Sequence, residues 1–147
     1  MTQPTKIERT INEFCANGYL ENFKQVIVAI FKEINTENCQ ISARYDENKS
    51  SHIFSGEKCR IQITLQNVYE EPIEVIWTIL HEFGHHLSGK ADKYRKHDFL
   101  YTIEREKLAW KLARFKAIAH PLLLKQIDSF DRYSEKCIES YTIRKYV

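Results

Sequence analysis

Two histidines and a glutamate near the middle of the chain have the residue types and the spacing of a metal site. The chain reads His81-Glu82-Phe83-Gly84-His85, the pattern H-E-x-x-H. On a helix, side chains four residues apart project from the same face, so both imidazoles can bind one ion. A glutamate beside them can take a proton from a metal-activated water. The pattern predicts a catalytic zinc site of the metallopeptidase kind, with Glu82 as the catalytic base.

The segment that carries this pattern has the periodicity of a helix. Apolar residues recur at helical spacing from Ile73 to Leu87. Pro72 precedes them, and proline is favoured in the first turn of a helix. Gly89 stands where a glycine commonly ends one. The sequence therefore predicts a helix over about 73–88, without reference to the motif that it contains.

Gly84 is an unusual residue inside this predicted helix, where glycine costs about 1 kcal/mol relative to alanine. The cost makes sense if another backbone passes close to the helix at this point. Val75, Ile79 and Phe83 make the helix apolar on a second side, which predicts central burial. The alternative interpretation is that His81 and His85 are ordinary core or surface histidines.

A catalytic zinc ion takes three protein ligands and a water, so the motif needs a third ligand. The metzincin extension would place glycine three residues, and histidine six residues, after the second histidine of the motif. Ser88 and Ala91 occupy those positions, so that class is excluded. A carboxylate farther along the chain is the other common solution.

Two glutamates on the next predicted helix, about 100–118, can supply this carboxylate. Glu106 is the favoured candidate, because its face of the helix carries small residues that allow a close approach. Glu104 shares its face with larger apolar residues and stays an alternative, as do His97 and Asp98 before the helix. The small residues on the face of Glu106 are Ala109, Ala113 and Ala117.

The two segments together resemble the ImmA/IrrE-type metallopeptidases, gluzincin-like proteins of bacteria, phages and mobile elements. The family pattern is H-E-[LF]-G-H-x-L followed by E-x-x-A-[ND]-x-F-A. Here residues 81–87 read H-E-F-G-H-H-L and residues 106–113 read E-K-L-A-W-K-L-A. The resemblance covers mainly residues 73–118.

The resemblance implies that His81, His85 and Glu106 bind one zinc ion and that Glu82 is the catalytic base. Trp110 departs from the pattern, because the family usually has Asn or Asp there. A polar residue at that position would support the site from outside the ligand set, and such partners matter for metal affinity.

The rest of the chain predicts an α+β fold. Residues 6–35 have helical periodicity with one break, which indicates two helices. Alternating apolar residues predict half-buried strands near 39–45 and 60–66, with a possible third at 52–54. We expect a zincin-like fold in a single domain, 1–147: a small, mostly antiparallel three-stranded sheet packed against the central motif helix, with N-terminal and C-terminal helices. The resemblance further suggests that the 60–66 strand is an edge that binds extended substrate by main-chain pairing.

Composition limits the class of protein. The 147 residues are 43% hydrophobic and 29% charged, as in soluble globular domains. A net charge of +2 is too small to indicate nucleic-acid binding. The longest strictly apolar run is too short to span a bilayer, and the N-terminus lacks an apolar signal region. The four cysteines, at positions 15, 39, 59 and 137, lack metal-site spacing. We expect a cytoplasmic protein with reduced, buried cysteines and no membrane partner.

The predicted function is that of a zinc-dependent endopeptidase that hydrolyses a peptide bond in a protein substrate, such as a transcriptional repressor. Tyr94, His97 and Tyr101 are candidates for stabilising the developing oxyanion. One alternative is a catalytically inactive zincin-like binding or regulatory module. Another is a metal-dependent hydrolase of a non-peptide amide.

Overall fold

The protein combines helices with a small sheet, as predicted, in a computed structural model. The chain divides into two compact units, Met1–Ile79 and Leu80–Val147. Within the described part of the chain, no helix is long and apolar enough to cross a membrane. The structure describes residues 20–44, 51–55, 58–64 and 71–146, together with Arg9, Asn12 and Cys15.

Helix α1, Lys24–Thr36, is an amphipathic helix of the first unit. It follows a single 3-10 turn, Glu21–Phe23, and packs against the first strand of the sheet. The apolar face predicted from the sequence is buried, which confirms this helix. The earlier predicted helix falls largely outside the described residues. The buried residues of α1 are Val26, Ile27, Ile30, Phe31 and Ile34.

The three predicted strands are present, but the sheet is mixed rather than mostly antiparallel. Strands β1 (Cys39–Arg44), β2 (Ser51–Ser55) and β3 (Lys58–Thr64) lie in the order β1-β3-β2. β2 is antiparallel to β3, whereas β1 runs parallel to it. The predicted meander is wrong because alternation identifies a half-buried strand without fixing its neighbour or direction. The parallel register places Ile41 opposite Ile61, so apolar residues meet on one face.

The position of β3 corrects two further expectations. It is the central strand, with both edges paired, so the 60–66 strand is not an edge that could take up a substrate strand. Ile61 and Ile63 face the core as predicted and are fully buried. Thr64, expected on the outer face with Gln62, is also buried. Strand alternation therefore does not by itself set which face is exposed.

Two of the four cysteines form a disulfide. Cys39 and Cys59 lie directly opposite each other in the parallel register, with Cα atoms 4.5 Å apart. The prediction of reduced thiols is wrong for this pair, because the two positions become neighbours only through strand pairing. Cys15 is free and buried, and Cys137 is free and half-buried.

Helix α2, Glu74–Leu87, carries the motif and matches the predicted 73–88 to within one residue at each end. Gly89 follows it with a positive φ of 82°, so the expected glycine end is confirmed. Helix α2 starts in the first unit and ends in the second. Trp77 and Phe83 are fully buried, which confirms the predicted central burial.

A 3-10 turn, Lys93–Arg95, and three more α-helices make up the rest of the described part of the second unit. Helix α3, Phe99–Ile118, is the predicted 100–118 helix and begins at an Asp98 side chain that accepts from the Tyr101 N–H at 3.1 Å. Proline opens the short helix α4, Pro121–Leu124, and α5 follows as Ile127–Tyr146. α5 packs along α3.

Candidate metal centre

The three predicted ligands meet between α2 and α3. The imidazole rings of His81 and His85 lie one turn apart on α2, with centroids separated by 4.6 Å. Their Nε2 atoms lie 2.8 and 3.0 Å from the two carboxylate oxygens of Glu106 on α3. One ligand atom from each of the three residues lies within 4.8 Å of the others.

The other candidates for the third ligand are not part of this cluster. Glu104 and His97 are exposed. The Asp98 carboxylate is engaged at the start of α3, where it also receives a hydrogen bond from Arg95 at 2.9 Å. Glu106 is 7% exposed, because its face of α3 is the one that approaches α2. The small residues of that face, Ala109, Ala113 and Ala117, are fully buried, as the sequence predicted.

Gly84 permits the close approach of the two helices. A Cβ atom added to it would collide with the carbonyl oxygen of Ala109 and would lie 2.9 Å from the carbonyl carbon. Only a residue without a side chain fits there. The predicted passage of a second backbone past the motif helix is confirmed, and that backbone is the helix that carries Glu106.

The segment between the two helices is fastened at both ends. The Arg105 guanidinium donates to the Gly89 carbonyl oxygen at 2.6 Å and to the Ser88 hydroxyl at 3.2 Å. The Asp92 N–H donates to the Tyr101 hydroxyl at 2.7 Å. These bonds help to fix the offset between α2 and α3, and hence the position of Glu106. The sequence did not predict this role of Arg105, because nothing in its spacing distinguishes it from the other basic residues of α3.

Charge and burial act in opposite directions on the carboxylate ligand. Burial alone would raise the pKa of Glu106, but hydrogen bonds with His81 and His85 and the charge of both imidazoles lower it to about 2. Burial lowers the pKa of His85, yet the hydrogen bond and negative charge of Glu106 outweigh it and leave that pKa raised. The carboxylate is therefore held ionised beside its imidazole partners.

Glu82 has a different environment from Glu106. It is 7% exposed, and its Oε1 lies 3.6 Å from the Nδ1 of His81, too far for a good hydrogen bond. Burial raises the pKa of Glu82, the imidazoles of His81 and His85 oppose this, and the Glu106 carboxylate raises the pKa further. A carboxylate with a raised pKa is suited to accept and return a proton.

The donor set fits zinc. Two imidazole nitrogens and one carboxylate oxygen form the ligand set of one class of catalytic zinc site. Ligand atoms around a tetrahedral zinc ion stand about 3.3 Å apart when its bonds are about 2.0–2.1 Å long. The Nε2 atoms lie 2.8 and 3.0 Å from the two Glu106 oxygens, and the ligand atoms of all three residues lie within 4.8 Å of one another, close enough to share one ion.

Trp110 lies against one of the ligands. Its indole ring stacks on the imidazole of His81, with centroids 4.1 Å apart and planes inclined by 6°. Trp110 is 4% exposed, and its Nε1 has no hydrogen-bond acceptor among the described residues. The place expected for a polar side chain is therefore filled by an aromatic face.

The side chains proposed to assist an oxyanion are engaged elsewhere or exposed. Tyr94 is 86% exposed, and His97 is exposed as well. The Tyr101 hydroxyl accepts from the Asp92 N–H, and the Arg95 guanidinium lies 4.4 Å from its ring centroid. Their role in an oxyanion site stays a prediction.

Comparisons with protein-family models, with curated proteins and with solved structures give no match for this chain. The resemblance to ImmA/IrrE-type metallopeptidases is therefore carried by the two motifs alone.

Proposed function

We propose that the protein is a zinc-dependent endopeptidase of the ImmA/IrrE type, with a zincin-like fold, that hydrolyses a peptide bond in a protein substrate. The observation that carries the proposal is the meeting of His81, His85 and Glu106 beside a buried Glu82. A regulatory protein such as a transcriptional repressor is the substrate class that the motif resemblance suggests.

His81, His85 and Glu106 would hold one zinc ion, with a fourth position open to solvent or substrate. When bound, zinc supplies Lewis-acid chemistry: it lowers the pKa of a water molecule and polarises a carbonyl group. Glu106 contacts both imidazoles, which brings the three ligands together. Buried ligands surrounded by such contacts need little rearrangement to bind a metal.

Glu82 would carry the proton through the reaction. Its carboxylate takes a proton from the attacking water as the water oxygen bonds to the carbonyl carbon. The same carboxyl group then gives the proton to the peptide nitrogen as the C–N bond breaks, so Glu82 is regenerated. Burial of Glu82 beside the ligands supports both transfers, because it holds the carboxyl group next to the reacting atoms.

Trp110 favours a second candidate function. An aromatic residue in the position of the usual Asn or Asp removes a polar partner from the site. The chain could then use the same metal cluster in a binding or regulatory module that does not catalyse hydrolysis. The two candidates share the metal ligands and differ only in turnover.

Metal analysis and cleavage assays on matched variants test these proposals. The purified protein should retain about one zinc ion per chain after dialysis, and His81→Ala should lose it. His120→Ala is the matched control: His120 directly precedes α4, lies outside the groups of metal-ligating side chains among the described residues, and its loss should leave zinc bound.

Turnover is measured on a protein-derived peptide library read by mass spectrometry. Glu82→Gln should bind zinc normally and release no new peptide termini, whereas the wild type should release them. Cleavage that persists in Glu82→Gln would remove Glu82 as the base. Zinc binding by a wild type that never cleaves would favour the binding module.

A further inference from the structure

We propose that Trp110 is a positioning residue for His81, whose imidazole it holds by ring stacking in the orientation that turns Nε2 toward the metal site. Because it concerns a metal ligand, this role rests on the zinc site of the proposed function. Trp110 would then contribute to metal binding, although it is not itself a ligand.

The geometry of the stack is close and nearly parallel. The ring centroids are 4.1 Å apart and the planes differ by 6°, so the indole covers one face of the imidazole. Trp110 is itself fixed from α5. Phe130 and Tyr133 meet its ring edge-on at 5.6 and 5.8 Å, with interplanar angles of 73° and 79°. Aromatic pairs in such arrangements attract each other beyond simple burial.

Stacking by Trp110 can orient His81 where no carboxylate among the described residues lies within hydrogen-bond distance of its Nδ1. A metal-binding histidine normally donates its second ring N–H to a carboxylate, a carbonyl or water, which fixes the ring. The Nδ1 of His81 has Glu82 Oε1 at 3.6 Å, which is longer than a hydrogen bond. Orientation by Trp110 leaves the Glu82 carboxylate uncommitted and therefore available for proton transfer.

The ring face of Trp110, rather than its N–H, makes the contact. The buried Nε1 has no acceptor among the described residues, whereas buried tryptophans usually find one. Phenylalanine would keep a ring face and remove that unpaired donor. Leucine would fill part of the space and remove the stack. The two substitutions therefore separate stacking from simple occupancy of the core.

The first test measures zinc affinity by competition with a chromophoric chelator. Trp110→Leu should bind zinc about tenfold more weakly or worse, the lower end of the effect of losing an orienting partner. Trp110→Phe should stay within a few-fold of the wild type. Trp77→Leu is the matched control, because Trp77 is a fully buried tryptophan on α2 outside the ligand set. It should lower stability and leave the zinc dissociation constant unchanged.

Two spectroscopic readouts do not depend on activity. The visible absorption of the cobalt-substituted protein should shift in Trp110→Leu and stay the same in Trp77→Leu, because it reports ligand geometry. In Trp77→Phe the only remaining tryptophan is Trp110. Its emission should change when zinc is added, whereas the emission of Trp77 in Trp110→Phe should not.

The outcomes separate this inference from the function on which it rests. Trp110→Leu with wild-type zinc affinity and an unchanged cobalt spectrum would overturn the positioning role. If Trp110→Leu does not fold, the test is the emission of Trp110 in Trp77→Phe. An emission that does not change when zinc is added would overturn the positioning role. A wild type that binds no zinc would instead overturn the proposed function, together with this inference.

Discussion

The two halves of helix α2 are both buried, but for opposite chemical reasons. The N-terminal half buries mainly apolar side chains, among them Ile76 and Trp77, which are fully inaccessible. The C-terminal half buries Glu82 at 7% exposure and keeps the side chains of His81 and His85 at 12% and 19%. Burial of apolar groups stabilises a fold, whereas burial of ionisable groups costs free energy unless they are paired. The ionisable side chains of the C-terminal half, paired with Glu106, therefore mark this half as the candidate site.

The largest effect on stability should come from the apolar half. Ile79→Ala should lower the free energy of unfolding by about 2–5 kcal/mol, because Ile79 is 1% exposed and its removal leaves a cavity. Urea unfolding of the metal-free protein measures this change. The folded variant should bind zinc as the wild type does. A large loss of zinc affinity would contradict the idea that the N-terminal half of α2 contributes to stability and not to metal binding.

The largest effect on metal binding should come from Glu106, the α3 carboxylate that contacts His81 and His85 in the C-terminal half of α2. Glu106→Gln should weaken zinc binding by more than about 100-fold, because it removes a charged ligand rather than an orienting partner. Competition with a chelator measures the dissociation constant. Glu104→Gln is the control, since Glu104 is an exposed carboxylate on the same helix. Equal losses in the two variants would show that general negative charge, and not Glu106, holds the ion.

Gly84→Ala should lower both the stability of the fold and its affinity for zinc. The added methyl group meets the backbone of Ala109, which cannot move aside like a flexible side chain. We expect the free energy of unfolding to fall by about 1–3 kcal/mol, because α3 must move away from α2 to make room. Zinc binding should also weaken, because Glu106 moves away with α3.

Gly89→Asn is the matched control for this substitution. Nothing lies within 4 Å of a Cβ at Gly89, and asparagine tolerates its positive φ. Zinc affinity should change little. A Gly84→Ala variant that binds zinc normally would mean that the helix contact does not position the carboxylate.

A pH dependence of the metal-free protein should also be measurable. The pKa of Glu106 falls from 4.5 to about 2 in the folded protein, so its contribution to stability is present above pH 4.5 and is lost as the pH falls toward 2. The stability of the wild type relative to Glu106→Gln should therefore rise between these values. Unfolding free energies of both proteins measured across this range test the sign. A difference that stays constant with pH would contradict the pairing of Glu106 with the two imidazoles.

The helices that carry the candidate site could be predicted, because the sequence pattern of each helix lies within one short segment. The spacing of His81 and His85, the small face beside Glu106 and the glycine at 84 each describe one helix, and each appears in the structure as expected. The choice of Glu106 over Glu104 followed from the same reasoning, because a ligand needs a face that can come close.

The remaining features depend on contacts between segments that are distant in sequence. The parallel pairing of β1 with β3, and the disulfide between Cys39 and Cys59, follow from strand order, which alternation does not encode. The anchor at Arg105 and the stack of Trp110 on His81 depend on how two helices face each other. The sequence shows that Trp110 departs from the motif, but its contact with His81 is visible only in the structure.

X-ray absorption at the zinc edge tests the central claim most directly, because it reports the atoms bound to the metal. The zinc-loaded protein should show low-atomic-number ligands at about 2.0–2.2 Å with the multiple scattering of two imidazoles, and Glu106→Gln should lose one oxygen from that shell. A sulfur shell at about 2.3 Å, or a spectrum that His81→Ala leaves unchanged, would place the metal elsewhere and contradict the account.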